Sequence, residues 1–374
     1  MRIEFDVEGT YMGLMDCVSK MADDEEVKGY LILACDKNGF IPEELDPLLT
    51  QIPLPLFGGC FPGVLFQNRA FEKGTIVVGL PDRPIMQRID NLSDGRDNFD
   101  DYIDIKKFNN LNTGTMFVIV DGLSLPVNSL LESIFNMIGV GISYLGGGAS
   151  SLELIQKPCV FTNEGIRSDC AVLAYIPMYS GVGVAHGMVS VGGPHKVTSS
   201  SFNTISSINW QPAAQFYKDL LFKHPNYDDG MPGFFGTDAH FSLGLNRFDN
   251  ERVILEPVSE GDNKELIFMK EVREGEFIDI MHVTETTMLE SATNALKYAL
   301  AALGYQRAPQ TTITFDCISR YIFLDERFDE ELNNICEANI PHIGALTLGG
   351  EVGSGGSDFL DYHNRTCVIG VFDK

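Results

Sequence analysis

The chain has 374 residues, 44% of them hydrophobic, and its 27 Lys and Arg against 52 Asp and Glu give a formal net charge of −25. That length exceeds one ordinary core and predicts about two domains, while the apolar fraction excludes a disordered chain. Acidic residues spread along the whole sequence repel nucleic acid and anionic lipid alike, so neither is expected as a partner. The opening stretch "MRIEFDVEGTYMGLMDCVSK" lacks the basic start and apolar segment of a secretory signal. No apolar run reaches bilayer length, so a cytoplasmic protein is predicted.

In chain order, the same succession of elements comes three times. A β-rich run ("GYLILACD", "GTMFVIVDG", "TTITFDCIS") is followed by a segment with helical spacing ("PEELDPLLTQI", "PVNSLLESIFNMIG", "DERFDEELNNICEANI"). The first two helices carry Pro at or near the first helical position, where its missing N–H costs nothing. Next comes a strand that breaks into glycines ("LPLFGGCFPG", "ISYLGGGASS", "HIGALTLGGEVGSGG"), then a further strand ("GTIVVGL", "CAVLAYI", "RTCVIGVF"). A β–α–β–turn–β unit used three times predicts an α/β (mixed α+β) fold: parallel crossovers, an antiparallel return, and mixed sheets flanked by helices. The glycine corners are expected to converge at the rim of a cleft. By their place in the repeat, Cys60, Gly148 and Glu351 read as equivalent.

Neither nucleotide motif survives inspection. No Gly-Lys-Ser/Thr opens a helix, and "GVGVAHG" at 181–187 runs into the strand-like "MVSVGG" instead of a helix N-terminus. The eight cysteines form no CxxC pair and suit a reducing compartment. A hairpin centred on Glu164–Gly165 would set Cys159 opposite Cys170 within disulfide reach, although free core thiols are the expectation in a cytosol.

Between the second and third units, "QPAAQFYKDLLF" reads as a short helix started by Pro212, and "LIFMKEVREGEFIDIMHV" as a hairpin turning near Glu274–Gly275. "TMLESATNALKYALAAL" reads as a long amphipathic helix burying Leu289, Ala292, Leu296, Ala299, Leu300 and Leu303, with Thr287 and Glu290 as a capping box. A division near residues 205–215 gives two related domains, 1–208 and 209–374.

The pieces "VGVAHGMVSVGGPHKVTS", "FDCISR", "GALTLGGEVGS" and "DYHNRTCVIGVF" resemble the FIST family, named for F-box and intracellular signal transduction proteins. The first piece lies where its N-terminal domain ends and the other three belong to its C-terminal domain, so 1–208 and 209–374 read as the two FIST domains. The resemblance is clearest over residues 311–372 and extends over most of the chain. It implies a ligand-binding sensory module that signals to a partner such as a histidine kinase. It also implies haem with nitric oxide as one candidate ligand, because some bacterial members are haem sensors. With no kinase, receiver or cyclase segment in this sequence, a stand-alone sensor is expected.

The third unit concentrates the chemistry. Cys317 and Arg320 follow its first strand, Gly349, Gly350 and Glu351 form its glycine turn, and His363–Asn364 enters its closing strand. If those strands are neighbours, their ends meet at one sheet edge, where open α/β sheets bind ligands. Arg320 would hold a carboxylate and Glu351 an ammonium group, which suits an amino-acid-like ligand. The structural alternative is an internal Arg320–Glu351 ion pair fixing the turn. An enzyme reading takes Cys317 as nucleophile, His363 as base and Glu351 as orienter. Nothing in the spacing requires it and no G-x-S-x-G elbow is present, so the chain is read as a non-enzyme.

Seven histidines supply no HxH, HExxH or CxxCH pattern, so no metal site is signalled. For haem, His186 among small residues and His240 beside Phe234 and Phe235 are the axial candidates, against the reading of each as a hydrogen-bonded core residue. His195 reads as an exposed turn residue, and Tyr179, Tyr217 and Met231 as packing groups. A scaffold that binds no small ligand remains the alternative class.

Overall fold

The β-rich runs at 29–35, 115–121 and 311–317 are buried along their entire length, and each becomes an inner strand of its own sheet. The computed structural model describes residues 1–96, 98–109, 111, 113–225, 227, 240–247, 252–336, 340–354 and 360–373. Met231, Phe234 and Phe235 lie outside the described residues.

The first unit runs β1 (Arg2–Asp6), α1 (Tyr11–Ala22), β2 (Gly29–Cys35), α2 (Pro42–Gln51), β3 (Leu56–Phe61), a hairpin of β4 (Gly63–Phe66) and β5 (Arg69–Phe71), and β6 (Thr75–Leu80). The second runs β7 (Ile85–Asp90), β8 (Thr115–Asp121), α3 (Val127–Ile138), β9 (Ser143–Ala149), a hairpin of β10 (Val160–Thr162) and β11 (Gly165–Arg167), and β12 (Cys170–Ile176). The third starts with β13 (Ser180–Ala185). An insertion then follows: β14 (Val189–Ser201), β15 (Thr204–Ile208), β16 (Gln211–Pro212), α4 (Ala213–Leu221), β17 (Phe241–Asn246), β18 (Arg252–Leu255), β19 (Pro257–Glu260), β20 (Leu266–Phe268) and β21 (Phe277–His282). The unit resumes with α5 (Glu285–Leu303), β22 (Thr311–Cys317), α6 (Ile318–Leu324), α7 (Phe328–Cys336), β23 (His342–Thr347), a hairpin of β24 (Glu351–Gly353) and β25 (Asp361–His363), and β26 (Cys367–Phe372).

The three unit sheets share one strand order: β1-β6-β2-β3-β10-β11, β7-β12-β8-β9-β24-β25 and β13-β26-β22-β23-β4-β5. In each, the crossover pair is parallel (β2–β3, β8–β9, β22–β23) and the closing strand returns antiparallel, as the repeat predicts. The sequence does not foretell the exchange. The hairpin of the first unit completes the third sheet, that of the second completes the first, and that of the third completes the second. In each sheet the edge at β3, β9 or β23 is thereby covered by a neighbour's hairpin, and the three units close into a ring of mutual strand donation.

Strand register corrects the reading of the glycines. Gly58, Gly146 and Gly344 occupy the same place, opposite Ile32, Val118 and Thr314. A Cβ there would stand 1.8, 1.9 and 2.2 Å from the carbonyl oxygens of those partners. The repeated glycine therefore serves a close approach of parallel backbones. Gly148 aligns with Cys60 and Leu346, not with Glu351, which lies beyond in β24. The corners do converge, but on one another instead of a cleft. A Cβ on Gly59 would meet that of Ala149 at 2.7 Å, and one on Gly147 would meet Thr347 Cγ2 at 2.5 Å. They are packing junctions between sheets.

The motif at 181–187 has a related cause. Gly181 and Gly183 on β13 let the backbone of α5 settle directly on the strand, where a Cβ would come within 2.0 Å of the Ala299 and Ala295 carbonyl oxygens. The helix starts one turn earlier than the sequence suggests. Thr284 is the N-cap and forms the capping box with Thr287, not Thr287 with Glu290.

The insertion forms a fourth sheet, ordered β18-β17-β21-β14-β15-β20-β19, with α4 against it. β14 pairs with β21 and β15 with β20, so this sheet draws strands from both sides of residue 208. The chain does turn near Gly275, yet β20 and β21 pair with different neighbours, and no hairpin forms there. In the second unit the hairpin forms with Thr162 opposite Gly165. Cys170 consequently falls in β12 of another sheet, and both it and Cys159 are free. His195 lies within β14, half-buried edge-on to Phe216, instead of in an exposed turn.

Candidate functional site

Parallel strands with a helical crossover aim their C-terminal ends at one edge, and in the third unit that edge gathers most of the chosen residues. Cys317 ends β22, Glu351 opens β24 directly opposite His363 on β25, and Asn364 Nδ2 donates to the Gly349 carbonyl at 2.9 Å. Glu351 is fully buried. Its Oε1 accepts from Thr347 Oγ1 at 2.5 Å, and the Cys317 thiol hydrogen-bonds the same carboxylate. Burial pushes the Glu351 carboxyl up to about 8, against the pull of Thr347 and Cys317. Lys270, reaching in from the insertion, is pushed down to about 7 by burial and donates to the Tyr362 carbonyl at 2.6 Å. Burial and the Glu351 charge hold the Cys317 thiol well above its usual value. A thiol kept protonated is the reverse of an activated nucleophile, so the geometry lends the enzyme reading no support.

Arg320 faces away from Glu351. Its Nε and Nη2 grip Glu331 at 3.1 and 2.6 Å, and Nη2 also donates to the Met288 carbonyl at 3.0 Å. Nη1 reaches Ser291 Oγ at 3.1 Å and the carbonyls of Arg365 and His186 at 3.4 and 3.5 Å. Asp316 lies 3.1 Å from Nε, and burial followed by the Glu331 charge raises its carboxyl well above the usual range. The guanidinium is entirely buried and its donors are spent on protein groups, so it braces α5 and α7 and has none left for a ligand carboxylate. Asp316, Glu331 and Cys367 bring potential ligand atoms within 4.8 Å of one another, but the Arg320 cation already neutralises that cluster.

Next to this edge opens a cleft of about 620 Å³, bounded by the end of β13, α5 from Thr287 to Tyr298, β18, β21 and β25. His186 and His363, both singled out from sequence, line it together. Arg252, Glu290, Asn294 and Tyr298 add a cation, an anion, an amide and a phenol. Arg252 Nε donates to Asp279 Oδ2 at 2.8 Å. His186 Nδ1 accepts from the Met188 N–H at 3.0 Å, and the Arg252 main chain hydrogen-bonds the same ring. Burial, then the nearby His363 and Arg320 charges, push His186 down to about 4, and burial does the same for His363. The base of the cleft therefore presents neutral imidazoles at physiological pH.

Haem needs an imidazole nitrogen with a free lone pair. His186 spends Nδ1 on the Met188 N–H and its ring also bonds the Arg252 main chain, so an axial role would require these main-chain bonds to rearrange. His240 stands apart from the cleft, with Nδ1 3.3 Å from the Val283 carbonyl and its ring edge-on to Phe323. Tyr179 and Tyr217 pack as expected, the former donating to the Ala302 carbonyl at 2.9 Å.

Sequence reasoning overlooked four of the polar groups around the cleft. Glu290, Asn294 and Tyr298, with Thr287, form a stripe at helical spacing on the face of α5 opposite its apolar residues, a signal that was readable. Arg252 gave none, since its place depends on β18 pairing with β17.

A family model for the FIST N domain matches residues 31–211, and one for the FIST C domain matches residues 213–354. No curated protein matches the chain.

Proposed function

Because the chain belongs to the FIST family, whose domains are associated with sensing in signal transduction, we propose that it is a sensory protein that binds an amino-acid-like metabolite in this cleft. The observation that carries the reading is the cleft's content. A cavity of about 620 Å³ sets Arg252 and Glu290 around neutral imidazoles, amide and hydroxyl groups, and its size falls in the usual range for small-molecule sites. Arg252 with its Asp279 counter-ion on one wall and Glu290 on the other suit a polar, zwitterionic ligand, its carboxylate toward the guanidinium and its ammonium toward Glu290. The bound state then passes to a signalling protein, such as a histidine kinase, by direct contact. A cytoplasmic setting suits the free cysteines, and among the described residues no helix is long and apolar enough to cross a membrane.

The test is thermal. A ligand that binds only the folded chain raises its melting temperature by mass action. We expect at least one of the common amino acids, at millimolar concentration, to raise Tm, and Glu290→Ala to abolish the rise. No shift with any of them would overturn the reading in favour of a scaffold.

Haem is the second reading, and His240 is what favours it: Nδ1 is directed to a carbonyl, and among the described residues Nε2 is left for a metal. A Soret band that disappears in His240→Ala would move the ligand out of the cleft.

A further inference from the structure

Residues 189–282 carry an apolar core of their own. Val197, Ile205, Tyr217, Leu243, Phe268 and Ile278 belong to a cluster that, among the described residues, takes no member from the three units. Charged groups tie this body to the units. Glu256 accepts from Arg365 Nε and from Ser319 Oγ, both at 2.8 Å, and Arg247 Nη2 meets Asp361 at 3.2 Å. Lys270 reaches the Tyr362 carbonyl at 2.6 Å, and Arg273 pairs with Glu132 at 2.9 Å on the outside. The apolar part of the seam is soft. Met281 and Ile254 of the insertion join the units' apolar cluster together with Met188 and Met288, and methionine side chains repack readily.

The chain crosses this seam at 186–189 and again at 282–285. At the first crossing Gly187 is held at φ +72°, and a Cβ there would stand 2.4 Å from the Thr287 carbonyl oxygen. The cleft lies across the seam. Ser190, Arg252 and Met281 line it from the insertion, while Glu290, Asn294 and His363 line it from the units. A molecule held by Arg252 on one wall and Glu290 on the other would bridge two bodies whose mutual contact is polar and repackable.

We propose that the inserted sheet is a clamp, and that its position against the three units is the signal this protein emits. The clamp rests on the reading of the cleft as the ligand site. A ligand can shift such an equilibrium only through contacts that differ between its states, and a site with walls on both bodies supplies them. Glu256 with Arg365 and Ser319 is a latch that limits opening of the empty clamp, and a ligand on both walls holds it shut.

Hydrogen–deuterium exchange of the full chain tests this. In Glu256→Gln, amides of β18 and β25 along the seam should exchange at least about tenfold faster, because a buried cation has lost its charged partner. Amides of β2 and β8, inside the units, should not change. A rise shared by all strands, or no rise at the seam, overturns the clamp. If Glu256→Gln does not fold, Arg247→Gln at the more exposed pair is read by the same criteria. In the second arm, any amino acid that raises Tm should slow seam exchange. A Tm rise without slower seam exchange overturns the clamp and leaves the ligand reading standing. No Tm rise with any amino acid overturns the ligand reading and, with it, the clamp as a signal, whatever the variants show.

Discussion

His342 opens β23 at the junction of the first and third units, and its titration should contribute, beside those of His186 and His363, to how the fold responds to acid. The ring is buried, with Nδ1 2.6 Å from the Gln67 carbonyl and Nε2 2.8 Å from Thr314 Oγ1. Burial pushes it down from 6.5 to about 4. Above pH 6.5 the ring is neutral in both the folded and unfolded chain and has no linkage effect. As pH falls below 6.5 the unfolded chain takes up a proton that the folded chain refuses until about 4, so stability present at neutral pH is lost across that window. At about 1.4 kcal/mol per pH unit, the gap is worth about 3 kcal/mol. Replacing the ring with a non-titrating amide, His342→Gln, should lower stability at neutral pH through lost hydrogen bonds. It should also flatten the decline toward pH 4 by about 3 kcal/mol relative to the parent. Urea unfolding followed by far-UV circular dichroism measures both. Fluorescence is unsuitable, because Trp210 is the sole tryptophan and stands exposed on the insertion. Equal declines in parent and variant would refute the reasoning.

The close approach of parallel backbones predicts that Gly146→Ala costs more than about 3 kcal/mol, since the added Cβ meets a carbonyl that cannot move aside. Gly139→Ala, at φ +87° and ψ −168° with nothing within 4 Å, should cost less, about 1–3 kcal/mol of backbone strain without a clash; thermal unfolding compares the two. Glu331→Gln should cost about 3–5 kcal/mol by leaving Arg320 with too little counter-charge, a loss read in the urea midpoint. A fragment ending at residue 208 leaves β4 without β23, β9 without β24 and β15 without β20, and it should show no cooperative calorimetric transition.

Much of the architecture was legible because it is local. Apolar runs such as "TMFVIVD" specify a strand buried on both faces, and the Pro-started helix between two such runs specifies a parallel crossover. The repeat of these signals revealed three units. The strand exchange was not legible, because β4, β10 and β24 carry no mark of which sheet they will join. That choice is made by sheet-to-sheet packing at places such as Gly59 against Ala149. The glycines misled for the same reason. Their spacing looks like a turn or a binding loop, whereas the demand on Gly58, Gly146 and Gly344 comes from the neighbouring strand.

The site divides along the same line. Cys317, Glu351, His363 and Asn364 were brought together correctly, because strand ends in one βαβ–β unit must meet. Arg320, four residues beyond Asp316, was assigned the wrong partner. Glu331 lies on α7, and a helix end gives no sequence cue to the strand edge it will cover. The consequence bears on function. The buried carboxyl, thiol and lysine around Glu351 sit behind His363, which faces the cleft, and Lys270 among them belongs to the insertion. Protein groups already occupy the place where the sequence put a ligand. That place therefore couples the insertion to the third unit, and the hollow that could admit a metabolite lies one strand away, where both bodies supply a wall.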